Sequence, residues 1–314
     1  MRRILLVGAN GQVGRELQQT LPPVGDVIQI TRSTLDLTDT QQIRAVLHEA
    51  KPDWIVNAAA YTAVDKAESE ADLAIAINAT APKVMAEVAV QQGCSLLHLS
   101  TDYVFNGQKN TPYLEADPVN PLGVYARSKL LGEQGIQQVW STAHPSCSYF
   151  ILRTAWVYGA LGAVNFVKTM LRLGADREEI RVVADQVGSP TWAKDLAGAI
   201  AQFIVKSADA TPDPSDLSGI YHYTNSGVAS WYDFAIAIFE EAAAIGFPLQ
   251  VQRVVPIGTV DYPTPAKRPA YSVLSGKKTA ALLGTHPPHW RRSLRLMLTE
   301  LYTQTYESTH SIGR

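Results

Sequence analysis

Tyr125 and Lys129 stand four residues apart in Tyr125-Ala126-Arg127-Ser128-Lys129, about one helical turn, so both side chains fall on one face. A free phenol titrates near ~10 and is a poor acid–base group at neutral pH. A lysine ammonium beside it favours the phenolate and is expected to lower that value. Such a pair is common by chance and equally fits a solvated helix surface. The preceding segment, Leu96-Leu97-His98-Leu99-Ser100-Thr101-Asp102, changes its meaning. It reads as a buried strand with hydroxyls at its C-terminal end, where doubly wound α/β folds bind ligands. Thr101 is then placed to hydrogen-bond a carbonyl, Tyr125 to protonate it, and Lys129 to hold the tyrosine and a nicotinamide ribose. The chemistry expected is hydride transfer between a nicotinamide and a carbonyl or alcohol, with the protein supplying position and a proton.

A second signature lies at the start of the chain. The apolar run Ile4-Leu5-Leu6-Val7 leads into Gly8-Ala9-Asn10-Gly11-Gln12-Val13-Gly14, which opens a helical stretch. Gly8 permits a tight turn, Gly11 lets backbone N–H groups approach a pyrophosphate, and Gly14 allows helix to pack closely on strand. The helix N-terminus adds partial positive charge. Gly8, Asn10, Gly11, Gln12, Val13 and Gly14 are therefore the expected dinucleotide contacts. At the end of the next strand an acid holds a ribose 2′-hydroxyl, whereas an arginine accommodates a 2′-phosphate. The chain reads Ile30-Thr31-Arg32-Ser33 there, so Arg32 favours NADPH, with NADH left open. Asp36 and Leu37, slightly further on, are expected near the adenine edge.

These groups need a frame. Apolar runs at 4–7, 27–30, 54–57, 95–99 and 149–153 read as buried strands, and 11–21, 40–49, 72–92 and 125–140 read as helices. The alternation predicts an α/β fold built on a Rossmann-type doubly wound parallel sheet. The second half is less regular, with proline and glycine clustered at 211–218 and 256–269 and helices expected over 231–244 and 291–302. Strands near Ile200 and Ile220 are expected to return to the first sheet. Residues 1–152, with returning segments at about 192–225, thus form the expected dinucleotide domain. Residues 153–191 and 226–314 form a smaller α/β substrate domain.

Composition sets the outer bounds. The 314 residues suffice for about two domains, and 46% are hydrophobic against 18% charged. A net charge of −2 and a mean hydropathy of −0.03 give no long-range pull towards nucleic acid or an anionic membrane. Two cysteines imply no disulfide framework and point to a reducing compartment. The apolar stretch after Met1-Arg2-Arg3 is too short for a signal peptide, and no uninterrupted apolar run approaches ~20 residues, so a soluble cytoplasmic protein is expected.

The segments 8–14, 57–65 (Asn-Ala-Ala-Ala-Tyr-Thr-Ala-Val-Asp), 99–105 (Leu-Ser-Thr-Asp-Tyr-Val-Phe) and 125–129 resemble the extended short-chain dehydrogenase/reductases over nearly the whole chain. Within them they are similar to the branch that reduces the 4-keto group of a dTDP-linked 6-deoxyhexose. That resemblance implies reduction of dTDP-4-dehydro-6-deoxy-L-mannose to dTDP-L-rhamnose. It also implies roles: Ala58, Ala59 and Ala60 line the adenosine and pyrophosphate side of the cofactor. Thr101 tunes Tyr125 and binds the sugar carbonyl, with Asp102 contacting the sugar. Trp156 forms an apolar platform for the deoxysugar. Asn165, Gln186 and Arg268 hold the dTDP portion, Arg268 as a bidentate pyrophosphate clamp. Another nucleotide-sugar reductase or epimerase stays open, as does a non-catalytic dinucleotide-binding subunit similar to the regulatory subunit of methionine adenosyltransferase.

Some members of the family are dimers bridged by magnesium through acidic side chains. Here Lys194 follows Trp192-Ala193, so no metal is expected, although a homodimer is. The remaining features carry less. His286-Pro287-Pro288-His289 reads as a loop, His98 as a satisfied core residue, and Asn78-Ala79-Thr80 as part of a helix rather than a glycosylation acceptor. Asp65, Lys66, Glu68 and Glu70 read as a solvated helix start.

Overall fold

Strands and helices alternate from the first residues because four- or five-residue apolar runs, too short for stable helices, are punctuated by glycine, asparagine and proline. The computed structural model describes residues 1–143, 147–162, 164–208 and 214–307. The first half comprises β1 (Arg3–Val7), α1 (Gln12–Thr20), β2 (Asp26–Ile30), α2 (Thr40–Ala50) and β3 (Trp54–Asn57). Then follow α3 (Val64–Ala67), α4 (Ala71–Ile75), a π-helical turn (Ala76–Thr80), α5 (Ala81–Gln92), β4 (Ser95–Thr101), α6 (Val124–Ala143) and β5 (Tyr149–Thr154).

The second half comprises β6 (Val157–Tyr158), α7 (Phe166–Asp176), β7 (Glu179–Val183), β8 (Val187–Gly188), β9 (Thr191–Trp192) and α8 (Ala193–Ala208). It ends with β10 (Gly219–His222), β11 (Ala229–Ser230), α9 (Trp231–Ile245), β12 (Arg253–Ile257), α10 (Lys277–Leu283) and α11 (Trp290–Tyr302).

Six strands form one sheet in the order β10-β5-β4-β3-β1-β2, with every pairing parallel. Because strand side chains alternate, the sheet is apolar on both faces. Ile4, Leu6, Val56, Leu97, Phe150 and Leu152 pack with Leu17 of α1 and with Leu196, Ile200 and Phe203 of α8. Leu5, Val7, Ile55, Leu96 and Ile151 face α2, α5 and α6. The stretch Ala71–Gln92 is long and apolar enough by composition to cross a membrane, yet over half of it is buried within the fold. A third core gathers Tyr158, Val167, Met170, Trp192, Phe234, Ile238, Trp290 and Leu294, away from the sheet. It is edged by the parallel pair β7–β12.

Ile220 lies in β10, beside β5, as expected. Ile200 does not lie in a strand: it is buried in α8. Its neighbours Leu196, Phe203 and Ile204 fall at helical spacing against α1 and the sheet, so the apolar run buries one helix face. Of the proline-rich segment at 211–218, residues 211–213 lie outside the described residues.

Candidate active site

The glycine turn joins the ends of β1, β2 and β3. Gly8 takes φ +86°, a left-handed conformation, and a Cβ there would stand 2.7 Å from the Ala59 nitrogen. At Gly14 a Cβ would come within 2.1 Å of the Gly8 carbonyl oxygen. The N–H groups of Gly8 and Ala9 both donate to the Ile30 carbonyl, at 2.9 and 3.0 Å, anchoring the turn to β2. Gly11 precedes α1 without a side-chain cap, so the first N–H groups of the helix are left for a ligand. Ala58 and Ala59 flank the cleft across the β1–β3 switch of strand order, and Ala60 follows them. This cradle fits a pyrophosphate-bearing dinucleotide.

Not every expected contact of the turn points into that cradle. Gln12 donates to the Val157 carbonyl at 2.8 Å and accepts from Asn165 at 2.8 Å, closing the turn against the second half. Val13 packs on the core, and Asn10 is exposed. Arg32 is exposed just past β2. Asp36 accepts from the N–H and hydroxyl of Thr38, at 2.9 and 2.8 Å, and these bonds hold its carboxyl below the ordinary range. Leu37 packs on the core beneath α2.

Thr101 ends β4 and Tyr125 opens α6. Burial pushes the Tyr125 phenol up to about 12, the Thr101 hydroxyl hydrogen-bonded to it pulls the other way, and the Asp102 charge adds to the rise. Tyr103 meets the Tyr125 ring edge-on at 6.2 Å. The expected lowering by Lys129 does not occur. Lys129 is fully buried and its ammonium end is engaged elsewhere: Nζ donates to the Leu99 carbonyl at 2.6 Å and lies 3.1 Å from His98 Nε2. Burial pushes Lys129 down to about 8, against the pull of Glu133. Spacing placed the two residues on one helix face, and side-chain direction then separated their partners.

The residues that hold α6 in place were missed by the sequence reading. Glu68, exposed as expected, also accepts from the Val124 N–H at 2.8 Å and so caps the helix start. Asn78, buried in the π-helical turn, accepts from the Tyr61 N–H and donates to the Tyr61 carbonyl and to Ser128 Oγ, at 2.9, 3.0 and 3.0 Å. Glu133 is buried with Arg153, which grips it through two nitrogens at 3.0 and 2.6 Å, and Ser100 donates to it at 2.5 Å. The only sequence signal for these roles was polar residues at positions where a helix buries its face.

On the substrate side, Asp102 is buried, and burial raises its carboxyl to about 7 against hydrogen bonds from Ser272 and Thr101. Arg268 is bidentate as expected, but on a carboxylate rather than a free fork for pyrophosphate. Its Nη1 and Nη2 donate to Asp65 at 3.1 and 2.8 Å, and Nη1 also donates to Thr264 Oγ1 at 2.6 Å. Asp65, read as solvated, is therefore the partner that the sequence could not supply. Asn165 is likewise committed: it caps α7 by accepting from Lys168 N at 3.0 Å and donates to Gln12 and the Gly159 carbonyl. Through Gln12 it is joined to the glycine turn. Gln186 is buried and donates to Thr259 Oγ1 at 3.1 Å. Trp156 adopts φ +48° and stacks on Trp231 with centroids 3.5 Å apart, so one face of the expected sugar platform is already covered. A cleft beside Tyr125 is lined by Glu68, Tyr103, Gly123, Ala266 and Pro269.

The sequence profile described as RmlD substrate binding domain matches residues 1–303. The chain is 42% identical over 304 residues to the dTDP-4-dehydrorhamnose reductase of Burkholderia thailandensis, covering 96% of this chain and 100% of that one. The chain belongs to the dTDP-4-dehydrorhamnose reductase family. A second reductase of that name, from Escherichia coli K12, is 42% identical over 306 residues, 96% of this chain and 99% of the other. The solved dTDP-4-dehydrorhamnose reductase of Bacillus anthracis, in complex with NADP, superposes with a TM-score of 0.84 at 39% identity, covering 95% of this chain and 99% of that chain.

In this member of the dTDP-4-dehydrorhamnose reductase family, Glu16 and Glu300 stand near one another with Lys194 beside them. Lys194 donates to Glu300 at 2.9 Å beside the buried Glu16, so an ammonium already stands among these carboxylates. Among the described residues neither Glu16 oxygen has a hydrogen-bond partner, and burial, helped by the Glu300 charge, raises its carboxyl from 4.5 to about 7. Between those values the folded chain keeps a proton that the unfolded chain has released, so stability falls as pH rises through the window. Glu16→Gln cannot ionise. It is expected to be more stable than wild type by ~2 kcal/mol at pH 8, with the gain shrinking towards pH 5. Thermal melts of both proteins at the two pH values check this.

Proposed function

We propose that this chain reduces the 4-keto group of dTDP-4-dehydrorhamnose to dTDP-L-rhamnose with NADPH, using Tyr125 as the proton donor. The observation that carries the roles is the meeting of Thr101 and Tyr125 at the C-terminal end of β4, beside the glycine cradle. The bound nicotinamide supplies the hydride. Thr101 aligns the carbonyl and Tyr125. A phenol raised to about 12 stays protonated at neutral pH, so Tyr125 stands loaded to give its proton to the carbonyl oxygen as charge develops there. Asp102 and one face of Trp156 contact the sugar, while Gln186 shapes the wall towards the nucleotide. Residues 1–152 and 192–225 hold the cofactor, and 153–191 with 226–314 close over the substrate; the sheet and the separate third core support that division. The two cysteines, Cys94 and Cys147, are free and buried, which suits the cytoplasm, where a homodimer would work.

Incubating the purified chain with the keto-sugar nucleotide and NADPH, and following nicotinamide absorbance, tests the reading; an unchanged absorbance contradicts it. The exposed Arg32 makes the cofactor part separately testable, and the NADP complex of the Bacillus anthracis reductase supports it. Arg32→Ala is expected to raise KM for NADPH ~10-fold, the worth of one charged contact to a phosphate, and to leave KM for NADH within ~2-fold. Equal changes with both cofactors contradict a 2′-phosphate contact.

A further inference from the structure

Asp65 and Arg268 join the two halves of the chain beside the cleft at Tyr125. Asp65 stands in the first turn of α3, and Arg268 in the loop between β12 and α10. A guanidinium has two edges that each present a parallel pair of N–H groups: the end pair, on Nη1 and Nη2, and the side pair, on Nε and Nη2. The end pair is taken. Nη1 donates to Asp65 Oδ1 at 3.1 Å and Nη2 to Asp65 Oδ2 at 2.8 Å. The outer side of Nη1 is taken as well, by Thr264 Oγ1 at 2.6 Å and the Ala266 carbonyl at 3.1 Å. The Ala266 N–H in turn donates to Asp65 Oδ1 at 3.2 Å, so one carboxylate holds both the guanidinium and its loop. The side pair is left. Among the described residues nothing accepts from Nε, and the one acceptor of Nη2 is Asp65. Arg268 stands by the reaction site: Ala266, Lys267 and Pro269, the chain around it, line the cleft with Tyr103 and Tyr125. Burial raises the Tyr103 phenol and the Arg268 charge works against that rise, so the guanidinium is felt at the ring that meets Tyr125 edge-on.

We propose that Asp65 is a positioning residue: by holding the end pair of Arg268 it turns the side pair, on Nε and Nη2, to two oxygens of the substrate's diphosphate. This rests on the nucleotide-sugar reading above. The fit is one of number and charge. Phosphate oxygens accept, the side pair donates, and a planar fork meets two oxygens at once. An arginine on a free stem would give up its rotamer freedom when the anion bound, whereas Asp65 and Thr264 have already fixed this one. The Asp65 charge opposes the anion, but it lies across the guanidinium from the side pair and is partly exposed, so water screens it. A lock would behave in the opposite sense: if the diphosphate had to displace Asp65, loss of that carboxylate would tighten binding.

The direct test is 15N NMR of the full chain labelled at arginine, with the Arg268 Nε–H signal identified by its absence in Arg268→Lys. Addition of dTDP is expected to move that signal; a signal that stays put while dTDP binds overturns the proposal. Dissociation constants give the second readout. Asp65→Asn is expected to weaken dTDP ~10-fold, the worth of one charged hydrogen bond, and to leave thymidine, which has no phosphate, within ~2-fold. Equal weakening of both ligands would mean a loop merely loosened, and tighter dTDP binding would mean a lock; either overturns the proposal. Arg268→Lys keeps the charge but has no second edge. Adding Asp65→Asn to it is expected to change Kd for dTDP by less than ~2-fold more, because Asp65 acts through the fork. A further loss as large as in Asp65→Asn alone overturns that route. If the wild-type chain binds no dTDP, the nucleotide-sugar reading fails, and inorganic pyrophosphate becomes the probe. An Nε–H signal that moves with pyrophosphate upholds the fork, and one that does not overturns it.

Discussion

Tyr125→Phe is expected to lower kcat by ~10²–10⁴-fold, the usual worth of a positioned general acid, while leaving NADPH affinity within ~3-fold. The phenyl ring keeps the edge-on contact with Tyr103 and the start of α6 intact, since Glu68 and Ser128 secure that helix through its backbone. What is lost is the phenol hydrogen-bonded to Thr101 that keeps its proton at neutral pH. Lys129 cannot replace it, because Nζ is turned to Leu99 and His98. Steady-state kinetics together with a cofactor titration separate the two effects. A purified Phe variant turning over near the wild-type rate would remove Tyr125 from the reaction, and one that no longer bound NADPH would make its role structural.

Arg153→Met is expected to cost ~3–5 kcal/mol of stability, the largest structural effect at the site. It leaves the Glu133 carboxylate buried with Ser100 as its remaining hydrogen-bond partner and strips the guanidinium from the face of Phe105, 5.1 Å away. Arg153 also lowers the buried His222 towards about 3, after burial itself, so its loss leaves that ring freer to take a proton. Urea denaturation followed through its midpoint measures the loss. The companion double variant Glu133→Leu, Arg153→Met removes both charges and is expected to recover at least ~2 kcal/mol. Single and double variants of equal stability would mean that the pair is not the element pinning α6 to β4 and β5. With total stabilities of ordinary domains near 5–15 kcal/mol, the single variant is best compared at low temperature.

The sheet and the glycine turn were legible because their signals are local. β1 to β5 are apolar runs bounded by turn residues, and Gly8 and Gly14 sit where any Cβ would strike backbone. The two-residue strands β6, β8, β9 and β11 carry no periodicity to read, and the apolar run at 200–205 fits strand or helix until α1 is seen beside it. The site was legible in part. Thr101, Tyr125 and Lys129 were named from type and spacing, since four residues on a helix fix a shared face. Spacing does not fix direction, and the lysine turned out to serve Leu99 and His98. Long-range pairing was out of reach: Arg268 and Asp65 lie 203 positions apart, and nothing local marks them as partners. The same holds for Asn165 and Gln12, 153 positions apart. Buried charge was the other blind spot. Glu16 and Glu133 occupy helical positions whose acids are mostly exposed, and only the packed structure shows what burial does to them.

The central claim is that hydride goes to C4 of the dTDP-linked keto sugar while Tyr125 supplies the proton. NADPH carrying deuterium at the transferable position of its nicotinamide, incubated with dTDP-4-dehydrorhamnose and the purified chain, tests it in one NMR spectrum of the sugar nucleotide. The expected product is dTDP-L-rhamnose with deuterium at C4 and at no other carbon. A C4 proton without deuterium, label at another position, a C4 epimer of rhamnose, or an unconsumed keto sugar would contradict it.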